Sequence, residues 1–169
     1  MASTYFLDTS ALFPRLLKRS VGHAWVNDIC DPGNHNLIVI AEITEAEIAS
    51  TLNQLVRGGT LQRKRCDEAL ALFWSQIDNF EYVIVPLAST TVRRAADLCS
   101  VRALRGMDTL QLACALWARD DLRLAASGAM TGGAAFGDPI FHTEDNKLRD
   151  AAIAEGFVFD TPINHAGGG

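Results

Sequence analysis

Four acidic residues, Asp8, Glu47, Asp108 and Asp145, stand at or just past the ends of apolar strand-like runs or the starts of helices. The segments are YFLDTSAL, ITEAEI after LIVIA, RGMDTLQLACAL and PIFHTEDNKL. In an alternating α/β chain the carboxyl ends of parallel strands lie along one edge of the sheet, so acids at several of them meet in one crevice. Carboxylates gathered without a basic partner repel one another. A hard divalent cation bound by oxygen, Mg²⁺ or Mn²⁺, relieves that repulsion. Such an ion activates water and clamps phosphate oxygens, so phosphodiester hydrolysis is the chemistry this set of side chains suits.

Each acid alone has an ordinary role open to it. Thr44-Glu45-Ala46-Glu47 has the form of a capping box, in which Glu47 reaches back to the Thr44 amide. Asp108 with Gln111 is a similar cap, and Asp8 and Asp145 suit N-caps that accept from the turn that follows. Joint placement favours a shared site: three of the four directly follow an apolar run, and Asp108 shares a helical stripe with Leu112. Glu45 competes with Glu47, because on a helical wheel it lies nearer the face of Ile48, Leu52 and Leu55. Periodicity leaves that choice open.

The elements that must hold these residues alternate in type. Residues 4–8 read as a short buried strand and 9–17 as a helix in which Pro14 is tolerable only in the first turn. Residues 21–30 form a further amphipathic piece, closed by Asp31-Pro32-Gly33, and 37–41 is a fully buried strand. Helices follow over 44–57, stopped by Gly58-Gly59, and over 62–77. A strand over 82–85, helices over 90–100 and 108–119, a strand over 140–143 and a helix over 146–155 complete the series. Residues 157–159 suit an edge strand. The Gly/Ala-rich stretch 127–138 reads as a flexible surface loop, and 164–169 as a disordered tail. The fold expected is one α/β domain over residues 1–163, with a central, mostly parallel, twisted sheet flanked by helices.

Composition is compatible with this. A chain of 169 residues that is 49% hydrophobic builds one sizeable core, where two domains would each be cramped. The formal charge of −5 argues against tight, nonspecific binding to a polyanion. Setting the four acids aside leaves 16 acidic residues against 15 basic, so a polyanionic substrate is not excluded. Cys30, Cys66, Cys99 and Cys114 form no C-x-x-C pair, and Cys99 and Cys114 read as small core residues. With no signal-peptide pattern and no apolar run of membrane-spanning length, the reducing cytoplasm is the expected compartment.

In four motifs the chain resembles the PIN-domain nucleases, in particular the VapC-type toxins of bacterial toxin–antitoxin pairs. These are FLDTSAL with Asp8, Thr44-x-x-Glu47 before a helix, RGMDTLQLACAL with Asp108, and HTEDNKL with Asp145 followed by Ala151, Ala152 and Glu155-Gly156. They come in the family's order and cover nearly the whole chain. The resemblance implies an acidic quartet of Asp8, Glu47, Asp108 and Asp145, with Glu47 preferred to Glu45. It implies Mg²⁺ or Mn²⁺ as cofactor, RNA as substrate, a small antitoxin as partner, and a homodimer. Thr9, Ser10 and Thr143, which adjoin motif acids, match hydroxyls that the family sometimes uses to orient a carboxylate or bind water. The chain departs from the family pattern at the Gly/Ala-rich stretch before Ile140, which looks like an insertion, and at Gln111, where a histidine is frequent in that helix.

RNA would need basic surface near the acids. Arg57, Arg63, Lys64 and Arg65 gather at one helix junction and Arg93 and Arg94 pair on another helix, where solvating a helix face is the ordinary role. Arg102 and Arg105 immediately precede Asp108 and are the candidates for phosphate contact. His23, His35, His142 and His165 do not fall at metal-ligand spacing; His142 precedes the Asp145 motif, from where it could reach the site, and reads first as a partly buried structural histidine. Two other functions compete: a noncatalytic member of the same fold that binds RNA or protein, and a Mg²⁺-dependent phosphatase with Asp8 as nucleophile. Ser10 stands where that second class carries its second aspartate.

Overall fold

Two short apolar segments near the start of the sequence, TYFL and LIVIA, form neighbouring strands inside a sheet. In the computed structural model, which describes residues 2–18, 20–129, 136–161 and 164, β1 (Thr4–Leu7) pairs with β2 (Leu37–Ala41) on one side. On its other side β1 pairs with β4 (Ile140–His142). β3 (Val83–Val85) and β5 (Val158–Asp160) form the edges, and all pairings are parallel, in the order β3-β2-β1-β4-β5. Seven α-helices flank the sheet among the described residues. They are α1 (Thr9–Leu16), α2 (His23–Ile29), α3 (Ile43–Arg57), α4 (Arg63–Asp78), α5 (Ser89–Val101), α6 (Gly106–Leu124) and α7 (Asn146–Ala154).

Period-two alternation divides the core. Phe6, Val39, Ala41 and Phe141 pack with α5, α6 and α7, while Leu7, Ile38 and Ile40 pack with α1 to α4. Phe6 stacks on Phe141 at 5.4 Å between ring centroids, and Phe141 meets Phe157 at 5.6 Å. Below the other face lies a buried cation. Arg15 donates to the Tyr82 hydroxyl at 2.6 Å and pairs with Glu81 at 2.5 Å, and Tyr82 in turn donates to Gln76 at 2.7 Å. This network joins α1 to α4 and to the segment entering β3.

From β1 the chain builds outward through β2 and β3, then returns past its starting point to add β4 and β5 on the other side. That reversal lies between β1 and β4, the place where open parallel sheets leave a crevice beyond their carboxyl ends.

Several expectations are corrected. α6 does not stop at residue 119 but runs to Leu124 and passes into a π-helical turn over Ala125–Ala129. The first residues of the expected 127–138 loop therefore continue a helix, supported by the strong helix formers Leu122, Arg123, Leu124, Ala125 and Ala126 and by the Arg123–Asp138 ion pair. Residues 130–135 of that stretch, and the 164–169 tail apart from residue 164, lie outside the described residues. Pro14 is the sixth residue of α1, beyond its first turn, and is tolerated because the helix ends two residues later. Cys114 is buried as expected, but Cys99 is exposed, since α5 turns it outward from the Ala95 and Leu98 face. The expected stops hold: Gly59 at φ 71° and Gly156 at φ 83° carry the left-handed turns that end α3 and α7. Among the described residues no helix is long and apolar enough to cross a membrane.

Candidate active site

Asp8 is the residue at which β1 becomes α1. Its amide donates to the His142 carbonyl at 3.1 Å, extending the β1–β4 pairing by one step. Its Oδ1 caps α1 by accepting from the Ala11 amide at 2.9 Å and also accepts from Ser10 Oγ at 2.8 Å. Its Oδ2 accepts from Thr143 Oγ1 at 2.7 Å. The expected cap is present at this residue, alongside bonds to Ser10 and Thr143. Although three groups donate to it, burial outweighs them and raises its carboxyl to about 6, with the charge of Glu47 adding to the rise.

Thr143, just past β4, is the hinge between two acids, since the same hydroxyl that donates to Asp8 accepts from the Asp145 amide at 3.0 Å. Ser10 accepts from the Glu144 amide at 2.8 Å, a second tie between the loops after β1 and β4. Asp145 is the N-cap of α7, accepting from the Lys147 and Leu148 amides at 2.8 and 2.9 Å, and it is exposed.

Glu47 does not close a capping box with Thr44. Its Oε2 accepts from Thr9 Oγ1 at 2.5 Å and from Gln111 Nε2 at 2.7 Å. Gln111 also reaches Thr44 Oγ1, at 3.0 Å. Of the two glutamates that periodicity left open, Glu47 is the one bonded to α1 and α6. Asp108, the third residue of α6, is half-buried and accepts from the Arg105 amide. Its carboxyl is raised by burial first, next by the charge of Asp145 and then by that of Glu47, while the Arg105 amide and charge act the other way.

The four acids thus lie in one another's field: Asp8 with Glu47, and Asp108 with both Asp145 and Glu47. Among the described residues no three His, Cys, Asp or Glu side chains stand close enough together, as placed, to hold a metal ion. What converges here is carboxylate and hydroxyl oxygen, the donor chemistry that hard divalent cations take.

The basic candidates divide. Arg102 is engaged with Glu155, Nη2 to Oε1 at 2.6 Å and Nε at 3.1 Å, whereas Arg105 is exposed at the start of α6, beside Asp108. Arg94 pairs with Asp120 at 2.7 Å, and Arg63 bonds Asn53 at 2.9 Å. His142 is fully buried and packs against the rings of Tyr5 and Trp25 at 5.2 and 5.0 Å. His165 lies outside the described residues. Gln111 does not form the expected cap with Asp108, and in the sequence it otherwise stands out only as a departure from the family pattern; its amide serves Glu47, Thr44 and Thr9 instead. The available signal was a long amide in an otherwise apolar helical run, which needs a partner when buried.

A parallel sheet ordered 3-2-1-4-5, with acids from four separate segments at its carboxyl edge, defines an open α/β protein with an acidic crevice. The PIN domain family model matches residues 5–154, and the chain belongs to that family. It is similar to a chain of VapBC2 from Rickettsia felis, solved bound to a DNA fragment from their promoter. The two share 13% identity at a TM-score of 0.58, over 94% of this chain and 98% of that one. It is also similar to PAE2754 from Pyrobaculum aerophilum, with 15% identity and a TM-score of 0.58, over 98% of this chain and 87% of that one. No curated protein sequence matches it significantly.

Proposed function

We propose that this chain is a divalent-metal-dependent endoribonuclease, the toxin of a VapBC-type toxin–antitoxin pair, in which Asp8, Glu47, Asp108 and Asp145 form the hydrolytic site. The observation that carries this reading is the mutual electrostatic influence of four carboxylates drawn from separate segments to one sheet edge, in a member of the PIN domain family.

The residues fit Mg²⁺ or Mn²⁺. The donors are oxygens, and burial together with a neighbouring negative charge disfavours ionised Asp8, which is the situation a cation relieves. Asp8 and Asp108 would hold the main ion, with Glu47 and Asp145 completing the site directly or through water. When bound, a divalent cation lowers the pKa of a water and stabilises charge developing on the phosphate. The chain's own part is orientation. Ser10 and Thr143 fix the Asp8 carboxylate, Thr9 fixes Glu47, and Arg105 offers positive charge to a phosphate entering beside Asp108.

A small antitoxin covering the acidic cleft and a homodimeric toxin go with this reading. The similarity to a chain of a VapBC complex supports the pairing. The test is cleavage of end-labelled structured RNAs by purified protein with Mg²⁺ or Mn²⁺, against a chelator and Asp8→Asn. Cuts that vanish in both controls are expected. A folded, metal-binding protein that cuts none of them would replace this reading with a binding role.

A further inference from the structure

Gln111 lies one turn along α6 from Asp108 and is 2% exposed. Its amide nitrogen stands 2.7 Å from Glu47 Oε2, 3.0 Å from Thr44 Oγ1 and 3.2 Å from Thr9 Oγ1. Two amide hydrogens serve two of these three acceptors well, and Thr9 is the most distant of the three. The Gln111 hydrogens therefore go chiefly to Glu47 and Thr44. The opposite amide orientation would set a carbonyl oxygen against a carboxylate, so the nitrogen faces Glu47.

This orientation has a cost. Gln111 Oε1 is buried and has no hydrogen-bond partner among the described residues. An unsatisfied buried acceptor is destabilising, and a methionine would fill the same apolar run without it. A residue kept for stability alone has little reason to be glutamine here. Meanwhile Gln111 and Thr9, from α6 and α1, both occupy Oε2 of Glu47, which leaves Oε1 of that carboxylate uncommitted among the described residues.

We infer that Gln111 is a positioning residue that sets the Glu47 carboxylate toward the cation, so that α6 delivers Asp108 directly and Glu47 through Gln111. Residues three apart on a helix share a side, so one rigid element fixes the spacing of the two acids. The inference rests on the reading of the four acids as cation ligands.

The experiment is Mn²⁺ binding, followed by the loss of the free-ion electron paramagnetic resonance signal. It uses the full chain as wild type, Gln111→Met, Glu47→Ala and the double variant, with thermal melts of each in chelator. Gln111→Met should weaken Mn²⁺ binding on the order of 10-fold or more, as loss of a group that orients a ligand does, while its metal-free melting temperature stays level or rises. In the Glu47→Ala background the same change should add nothing. Thr9→Val, which removes the other donor to Oε2 from a different helix, should weaken binding by a comparable factor and stands in if Gln111→Met does not fold. Unchanged Mn²⁺ affinity in these variants, or an equal loss with Glu47 absent, overturns the inference. A wild-type chain that takes up no Mn²⁺ at all overturns the proposed function itself, a separately visible result.

Discussion

Asp108 and Asp145, carried to one sheet edge by α6 and by the loop after β4, repel one another: after burial, the charge of Asp145 is the largest cause raising the Asp108 carboxyl. Asp145 is exposed and serves as a helix cap, so its own fold does not require the pair to be close. Two acids that gain nothing from each other's company are held together by the sheet topology.

Asp8→Asn should abolish divalent-dependent RNA cleavage while making the metal-free protein more stable at neutral pH. The folded carboxyl, at about 6, lies above its ordinary 3.8. The folded state therefore keeps a proton that the unfolded chain has lost between those values. The group favours folding most below about pH 4. That contribution falls as pH rises to about 6 and is gone above it, a difference of about 3 kcal/mol at most. Asparagine can still accept at Oδ1 and has no charge to bury. Urea unfolding in chelator at pH 5 and 7.5 checks this: the advantage of Asp8→Asn should be larger at 7.5, and a reversed order would remove burial as the cause.

Divalent uptake should weaken as pH falls through about 6, since a cation must displace the Asp8 proton. The rise in melting temperature on adding Mn²⁺ should be large at pH 7.5 and small at pH 5. Equal rises at both would mean that Asp8 is not a ligand.

Arg105 and Arg102 should behave differently despite being three residues apart. Arg105→Ala should leave stability unchanged, weaken RNA binding and lower the slope of log affinity against log salt by about 1. Arg102→Ala breaks a partly exposed pair with Glu155, which is worth under about 1 kcal/mol, and should change the salt slope little. Filter binding across a salt series, with Asp8→Asn on both to prevent cleavage, separates them.

Phe141→Ala should cost about 3–5 kcal/mol, because Phe141 is fully buried between Phe6 and Phe157 and its cavity would not collapse within a sheet. A loss below about 1 kcal/mol in urea unfolding would contradict the packing of that face.

The strands were legible because LIVIA and TYFL are short runs of β-branched, aromatic and aliphatic residues, and their largely buried parallel pairing follows from that. The end of α6 was not, because Gly128 and its neighbours look like loop while the residues just before them are good helix formers. Asp8, Asp108 and Asp145 could be picked out by position, as strand ends and helix starts are written locally. Periodicity leaves Glu45 and Glu47 open, and the bonds that tie Glu47 to Thr9 and Gln111 come from 38 and 64 residues away. Arg102 looked free for RNA for the same reason, its partner Glu155 being 53 residues further on. Local pattern identifies which residues reach the edge, and tertiary bonding decides what each is free to do there.

The bond from Thr143 to Asp8 spans 135 positions of the chain. In synthesis Asp8 precedes the partner of its Oδ2, which is absent until β4 has been made and has docked beside β1. A nascent chain that has not reached β4 carries Asp8 without the second wall of the crevice, so this side of the site is completed only once β4 has been made.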